Sequence, residues 1–400
     1  ADGALLAANS SCWTLRASPR EMPEDKLALA AKGLAEILEL DEAKLLEKFN
    51  DRRSNDCLLR YRVERETADA VRDFCAENGI TGVRINQDSK RWYPQGELLA
   101  SVLGFTNVDN AGVSGLELEY NDTLTGQNGV VLTAVNAWGY TLAQSYETEL
   151  APVEGCGLRL TIDANIQHYL ENALNYAVQE HHVAARSVGI VLEVNTGAVL
   201  AMASSPDYDP NQYGTIRDES LRAQVEADVQ AELEKRQGEK AEGKTDEEIY
   251  QEAVNAATGT AQNKQWRSQA VNDTYEPGST FKALVLAAAL EEGVVSESDT
   301  FYCPGYYMVE GWPKPISCSK KAPGHGTQTL AEAVQNSCNP AFMQIGQRLG
   351  IEKFYEYFEA FGLKEPTNID LNGEEDGNIW EKIDMTGVDL AVGSFGQRFT

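Results

Sequence analysis

Four hundred residues are enough for two or three domains with separate cores. A formal net charge of −28 argues against nucleic acid and anionic membrane surfaces as partners. No run approaches the roughly 18 consecutive apolar residues that a bilayer span needs, and seven cysteines in so long a chain do not make a disulfide scaffold. No stretch of these residues reads as a signal peptide. The chain opens on Ala1-Asp2-Gly3 without an initiator methionine, as it would if a targeting or anchoring segment had been cut away.

Residues 1 to about 155 read as an α+β region of short, mixed elements. Leu and Ala recur at helical spacing over Glu24–Leu40 and Glu42–Asn50. Leu58–Val63 suits a strand, and Thr67–Asn78 a helix that stops at Gly79. From Trp92 the text is rich in turns, and Gly126 to Leu142 reads as a hairpin. No catalytic cluster stands out here, so this region reads as a structural or interaction module.

A strand over Leu158–Ile162 and a helix from the cap Asp163 to about His182 come next. Ser187–Glu193 and Ala198–Ala203 read as strands joined through Asn195-Thr196-Gly197, the start of an antiparallel sheet covered by helices. His168, His181 and His182 have no metal-ligand partners nearby in sequence and read as surface or packing residues. Residues 217–258 are dense in Glu, Gln, Lys and Ala. They read as an exposed insertion of one or two solvated helices, broken at Gly238 and Gly243 and partly disordered.

Tyr275 to Gly293 carries the chemistry. Pro277-Gly278 makes a turn, Phe281 through Leu290 form an apolar helix, and Gly293 ends it. Ser279 and Lys282 stand at its start, three residues apart and on one face. Burial disfavours a lysine's charged form and lowers its pKa. Such an amine takes a proton from serine, which needs a base to act as a nucleophile. The Ser-x-x-Lys pattern arises by chance about once or twice in 400 positions. A second copy, Ser317 to Lys320, sits among Pro and Gly with no helix to open, and is discarded. Further on, helices are expected from about Leu330, through Asn336-Ser337-Cys338-Asn339-Pro340, and from Glu352 to Phe361. A last element covers Asp389–Phe395.

Ser279-Thr-Phe-Lys282 with Ser337-Cys-Asn339 resembles the first two of the three signature motifs of penicillin-binding transpeptidases. Tyr275-Glu-Pro-Gly278, Leu160-Thr-Ile-Asp163, Tyr93-Pro-Gln-Gly96, Leu103-Gly-Phe105 and Gly112-Val-Ser-Gly-Leu-Glu117 extend the resemblance over nearly the whole chain, to class B penicillin-binding proteins of the elongation and sporulation types of Gram-positive bacteria. The resemblance implies an α+β, multidomain protein: a pedestal or dimerisation domain over 1–155 and a transpeptidase domain over 156–400, an antiparallel sheet covered by helices. It implies a site on the extracytoplasmic face of the cell membrane, with an anchoring helix before Ala1. Ser279 would attack the D-Ala-D-Ala bond of a peptidoglycan stem peptide with Lys282 as base. Ser337 would relay the proton to the leaving amine, and Asn339 would hold the substrate backbone. β-Lactams would acylate the same serine. A membrane glycosyltransferase and a homodimer mate are the implied protein partners. The third motif, Lys-Thr/Ser-Gly, is absent: Lys244-Thr245 is followed by Asp246, and Met385-Thr386-Gly387 has no lysine. Truncation before the last strands accounts for this, and these 400 residues alone are expected to be inactive. A penicillin sensor or noncatalytic scaffold, and a serine β-lactamase, are the alternatives. The long N-terminal region and Asn339 argue against the β-lactamase.

Cys303, Cys318, His325 and Cys338 crowd the stretch between the two motifs. A hairpin about Glu310-Gly311 sets residue 303 opposite 318, and Cys338 belongs at the cleft. Two readings compete: a Cys303–Cys318 disulfide, or a closed Cys3His structural zinc site. Some elongation-type relatives carry zinc ligands at corresponding places, and this resemblance favours zinc. Cys12, Cys57, Cys75 and Cys156 suit buried free thiols.

Overall fold

A strand that its sequence disguises lies at the centre of the first sheet. In the computed structural model, which describes residues 3–127, 129–132, 148–183, 186–236 and 245–400, the chain divides into two units, 1–270 and 271–400. In the first, β1 (Ala8–Ala17) runs between β2 (Cys57–Val63) and β3 (Val83–Trp92), antiparallel to both. Leu15 stands opposite Ile85 and Ala17 opposite Val83. One face of this sheet is closed by α1 (Leu27–Leu38), α2 (Glu42–Asn50) and α3 (Arg65–Asn78), which bury Leu15, Leu34, Leu38, Phe49 and Val71 together. Asp41 caps α2, and Gly79 ends α3 in the left-handed conformation.

The turn-rich text after Trp92 becomes three short helices, α4 (Ala100–Leu103), α5 (Gly115–Glu119) and α6 (Asn121–Leu124). Gly104, at φ +72°, lets two loops touch: a Cβ there would lie 1.8 Å from the carbonyl oxygen of Ser114. Beyond them β4 (Val130–Leu132) pairs with β5 (Thr148–Leu150). The hairpin expected over 126–142 therefore finds its second strand further along, and residues 133–142 of that expectation lie outside the described residues.

Leu158–Ile162 is not a strand. It runs beside β7 (Val199–Ser205) and touches it at single points: the Thr161 hydroxyl donates to Val199 O, and Asp163 N to Leu200 O. Asp163 caps α7 (Ala164–Glu180), accepting from Asn165 N and Ile166 N. The helix crosses the hairpin of β6 (Ser187–Leu192) and β7, and its buried Gln167 bonds both the N–H and the C=O of Met202. His168, His181 and His182 are exposed, as expected.

The polar insertion is two helices, α8 (Glu219–Arg236) and α9 (Asp246–Trp266), joined by residues outside the description and packed through Val229, Ala253 and Ala257. The expected breaks at Gly238 and Gly243 fall among those residues. The far end of α9 lies beyond the expected insertion and is packed against its unit. Gln265 is buried, and the Trp266 indole donates to Tyr213 O while its ring packs edge-on against Phe105.

A single turn, α10 (Gln269–Asn272), leads toward the second unit. There a 3₁₀ turn (Gly278–Phe281) feeds α11 (Lys282–Glu291). Strand β8 (Thr300–Cys303) pairs with β11 (Gly326–Thr329), and β9 (Tyr306–Tyr307) with β10 (Ile316–Ser317). Then come α12 (Leu330–Gln335), α13 (Asn339–Ala360) and α14 (Gly387–Gly393). The helix expected to run from Leu330 through Pro340 is in fact two. Proline has no N–H to continue α12, so the chain breaks and restarts with Pro340 in the first turn of α13. The separate helix expected over Glu352–Phe361 is the second part of α13, beyond a kink at Gly350. The core of the unit lies between α11, α13 and α14, where Phe281 packs edge-on against Phe399 at 4.8 Å and against Phe354 and Phe358 at about 6 Å.

Candidate active site

Ser279 lies in the 3₁₀ turn and Lys282 at the first position of α11, so one helical turn separates hydroxyl and amine. The break between α12 and α13 brings in the other two residues. At that break Ser337 N donates to Val334 O and Cys338 N to Ala333 O, with Ser337 at φ +46°. This is a Schellman ending with serine where glycine is usual. It turns the Ser337 side chain back toward α11, and Asn339 follows as the first residue of α13.

Lys282 is 4% exposed and touches all three partners. Its Nζ lies 3.1 Å from Ser279 Oγ, 2.9 Å from Ser337 Oγ, 2.8 Å from Ser337 O and 2.7 Å from Asn339 Oδ1. The rings of Phe342 and Phe395 lie 5.4 and 6.0 Å from the same nitrogen. Burial lowers the Lys282 pKa from 10.5 to about 8, against the upward pull of the Cys338 and Cys318 sulfurs. A lysine ammonium carries three protons and faces four oxygens here. A neutral amine fits the set better: its two N–H groups serve the two carbonyl oxygens, which can only accept, and its lone pair faces the hydroxyls, which can donate.

A cleft of about 500 Å³ opens over these residues. Besides Ser279, Ser337 and Asn339, it is lined by Ile316–Ser319 and by Phe395 and Gln397. Sequence reasoning missed the last two as site residues. The segment that carries them is fixed to the Ser279 turn: Gly278 N donates to Gly396 O, and Arg398 N to Glu276 Oε1. The discarded copy of the motif has its Ser317 on the cleft wall and its Lys320 exposed, at no helix start.

Cys303, Cys318, His325 and Cys338 converge beside the cleft, their ligand atoms all within 4.8 Å of one another. The Cys318 sulfur is 3.6 Å from His325 Nδ1 and 4.0 Å from the Cys338 sulfur. The three cysteines are buried and unbridged. The route to this cluster differs from the expected hairpin. Ile316 pairs with Tyr307 and Ser317 with Tyr306, while Cys303 stands opposite Gly326. Pro304-Gly305 ends β8 early, so the register slips by two residues and residue 318 meets 305, donating N–H to its carbonyl. Burial pushes the Cys338 thiol up to about 12, the Ala341 N–H opposing. At Cys318 burial also acts upward, but the Lys320 N–H, the Ser319 hydroxyl and the Asn339 N–H together bring its pKa below the usual thiol value. Three sulfurs and an imidazole suit tetrahedral zinc, whose ligand atoms sit about 3.5–3.8 Å apart given bonds of about 2.0–2.3 Å. The cluster needs only a small contraction to match. Of the other cysteines Cys12 and Cys75 are buried, Cys57 is half-buried, and Cys156 is exposed, contrary to expectation.

A helix-borne Ser-x-x-Lys facing a Ser-x-Asn break is the arrangement of the penicillin-interacting serine enzymes, and comparisons with known proteins agree. The family model described as the penicillin binding protein transpeptidase domain matches residues 188–397, and the penicillin-binding protein dimerisation domain matches residues 1–160. The chain belongs to the penicillin-binding protein transpeptidases, in the class B arrangement. It is 32% identical over 399 residues to stage V sporulation protein D of Bacillus subtilis, covering 99% of this chain and 53% of that protein. It is 26% identical over 397 residues to the probable peptidoglycan D,D-transpeptidase PenA of Neisseria meningitidis, covering 99% of this chain and 58% of the relative. The chain thus spans little more than half the length of these relatives. Among solved structures, penicillin-binding protein 2X of Streptococcus thermophilus superposes with a TM-score of 0.67 at 20% identity, over 99% of this chain and 55% of that one. The complex of PBP2 with MreC from Helicobacter pylori gives 0.69 at 21%, over 98% and 70%. These two likenesses concern the fold.

Proposed function

We propose that this chain is the pedestal and nucleophile-bearing part of a peptidoglycan D,D-transpeptidase that crosslinks stem peptides through an acyl-enzyme on Ser279 and is acylated there by β-lactams. The observation that carries this reading is the single amine bonded to Ser279, Ser337 and Asn339. Lys282, in its neutral form, takes the Ser279 proton as Oγ attacks the carbonyl of the D-Ala-D-Ala bond. Ser337 Oγ, 2.9 Å from the same nitrogen, receives that proton and passes it to the departing D-alanine amine. The Asn339 amide is held at its oxygen by Lys282 and so offers its N–H₂ to the substrate backbone. The backbone N–H of Ser279, in the first turn of its helix, is free of an intrahelical partner and suits the oxyanion. An amino group of a neighbouring stem then displaces Ser279 from the acyl-enzyme.

The third signature motif is not among these residues, and the apolar β6 residues Val188, Ile190 and Leu192 are substantially exposed, as suits a sheet with further strands to receive. The 400 residues alone are therefore expected not to turn over a D-Ala-D-Ala thioester, whereas the full-length protein does. A full-length protein that binds penicillin on Ser279 but never releases D-alanine from substrate would instead be a noncatalytic sensor.

Cys303, Cys318, His325 and Cys338 hold a Zn²⁺ ion in this reading. With all four positions filled by protein it serves as structural glue, supplying a fixed point for the Ser337 break. Zinc found at one equivalent by elemental analysis supports this. Its absence, with a Cys303–Cys318 bridge in the mass spectrum, overturns it. We place the protein on the outer face of the cell membrane, with a membrane glycosyltransferase as partner and the first unit available for self-association. Among the described residues no helix is long and apolar enough to cross a membrane.

A further inference from the structure

Gln328 is the polar side chain of β11 that enters the core. Thr327 and Thr329 on either side of it are exposed, whereas Gln328 is 3% exposed and stands opposite Phe301 in the ladder with β8. It shares that buried face with Cys303. Its Oε1 accepts from Asn336 Nδ2 at 3.2 Å, which fixes the orientation of the amide. Its Nε2 is buried and finds no hydrogen-bond partner of normal geometry. Burial raises the pKa of the Cys338 thiol, and the Gln328 side chain acts on that sulfur as a donor that lowers it. One side chain therefore meets residue 336 at its oxygen and residue 338 at its nitrogen, with the strained Ser337 between them.

We propose that Gln328 is a positioning residue whose Nε2–H donates to the Cys338 sulfur when that sulfur is a metal-bound thiolate, so that one buried amide ties the metal site to the Ser337 turn. This rests on the zinc reading above. A buried amide N–H without an acceptor is unfavourable, and a neutral thiol is a weak acceptor. A thiolate is a strong one, so the metal-bound state satisfies the orphaned donor. Hydrogen bonds of this outer kind orient metal ligands and raise affinity. Here the same amide also braces Asn336, so the left-handed Ser337 is clamped from both sides.

The test is zinc affinity of the full-length protein, measured by competition with a chromogenic chelator, for the parent and for Gln328→Met, which keeps length and burial but has no amide. The variant should bind zinc about 10- to 100-fold more weakly. A second measurement needs no variant: with ¹¹³Cd²⁺ in place of zinc, the Gln328 Nε2 proton should show scalar coupling to the metal through the sulfur. A parent protein that binds no zinc when the metal is supplied overturns this inference and the zinc reading together. A parent that binds zinc, with undiminished affinity in Gln328→Met and no coupling to cadmium, overturns this inference alone.

Discussion

Lys282 sets what the site can do. Its burial is the reason its pKa falls to about 8, and the shift has a sign that kinetics can read. The amine must be neutral to accept the Ser279 proton, so the rate of penicillin acylation should rise with pH and level off above about 8. A rate that is flat from pH 6 to 9 would contradict this. The same shift means that the unfolded chain holds this proton more tightly, so stability should rise as pH goes from about 8 toward 10.5. Lys282→Met removes the base while keeping an unbranched side chain in the pocket, and acylation should slow by about 10²- to 10⁴-fold in stopped-flow measurements. At this scale the sequence was highly legible, because an i, i+3 spacing at the start of an apolar helix sets Ser279 against Lys282. Phe395 and Gln397 were not, since nothing in Gly396-Gln397-Arg398 says which turn it will meet.

The elements around these residues carry strain where position matters. Ser337 holds φ +46° without glycine's freedom. Ser337→Gly should raise stability by about 1 kcal/mol in thermal melts, by relieving the left-handed backbone, and should cost acylation or turnover by removing the relay hydroxyl. A variant that is both less stable and fully active would refute that account. Gly396 is the opposite case. At φ +81°, a Cβ there would come within 2.0 Å of the Gly278 oxygen, beside the nucleophile. Gly396→Ala should destabilise the fold by about 2 kcal/mol or more and push the Ser279 turn out of line. The sequence read α2, α3, α7 and the β6–β7 hairpin well, because each has a cap, a glycine stop or a turn signal. It missed β1 and β3, whose Asn, Ser, Asp and Lys residues dilute the alternation expected of strands. It also misplaced the register near Cys303, because Pro304-Gly305 ends β8 where an uninterrupted hairpin was assumed. The cysteines converge all the same, with β8 pairing to β11 and the β9–β10 hairpin returning Cys318 beside Gly305.

At the scale of the whole molecule, family membership follows from motifs spread along the chain, and the structure supplies physical reasons for several of them. Leu103-Gly-Phe105 is a glycine contact with the Ser114 carbonyl, and Glu276 before the nucleophile is the anchor for Arg398 N–H. The second unit depends on one aromatic cluster, so Phe281→Ala should lose about 3–5 kcal/mol and with it the alignment of α11 against α13. The proposed activity requires one serine activated by one buried lysine. The most direct test is to treat the full-length protein with benzylpenicillin, digest it, and locate the adduct by mass spectrometry. We predict one penicilloyl group, on the peptide containing Ser279, absent in Ser279→Ala and strongly reduced in Lys282→Met. An adduct on another residue, or labelling that persists in Ser279→Ala, would contradict it.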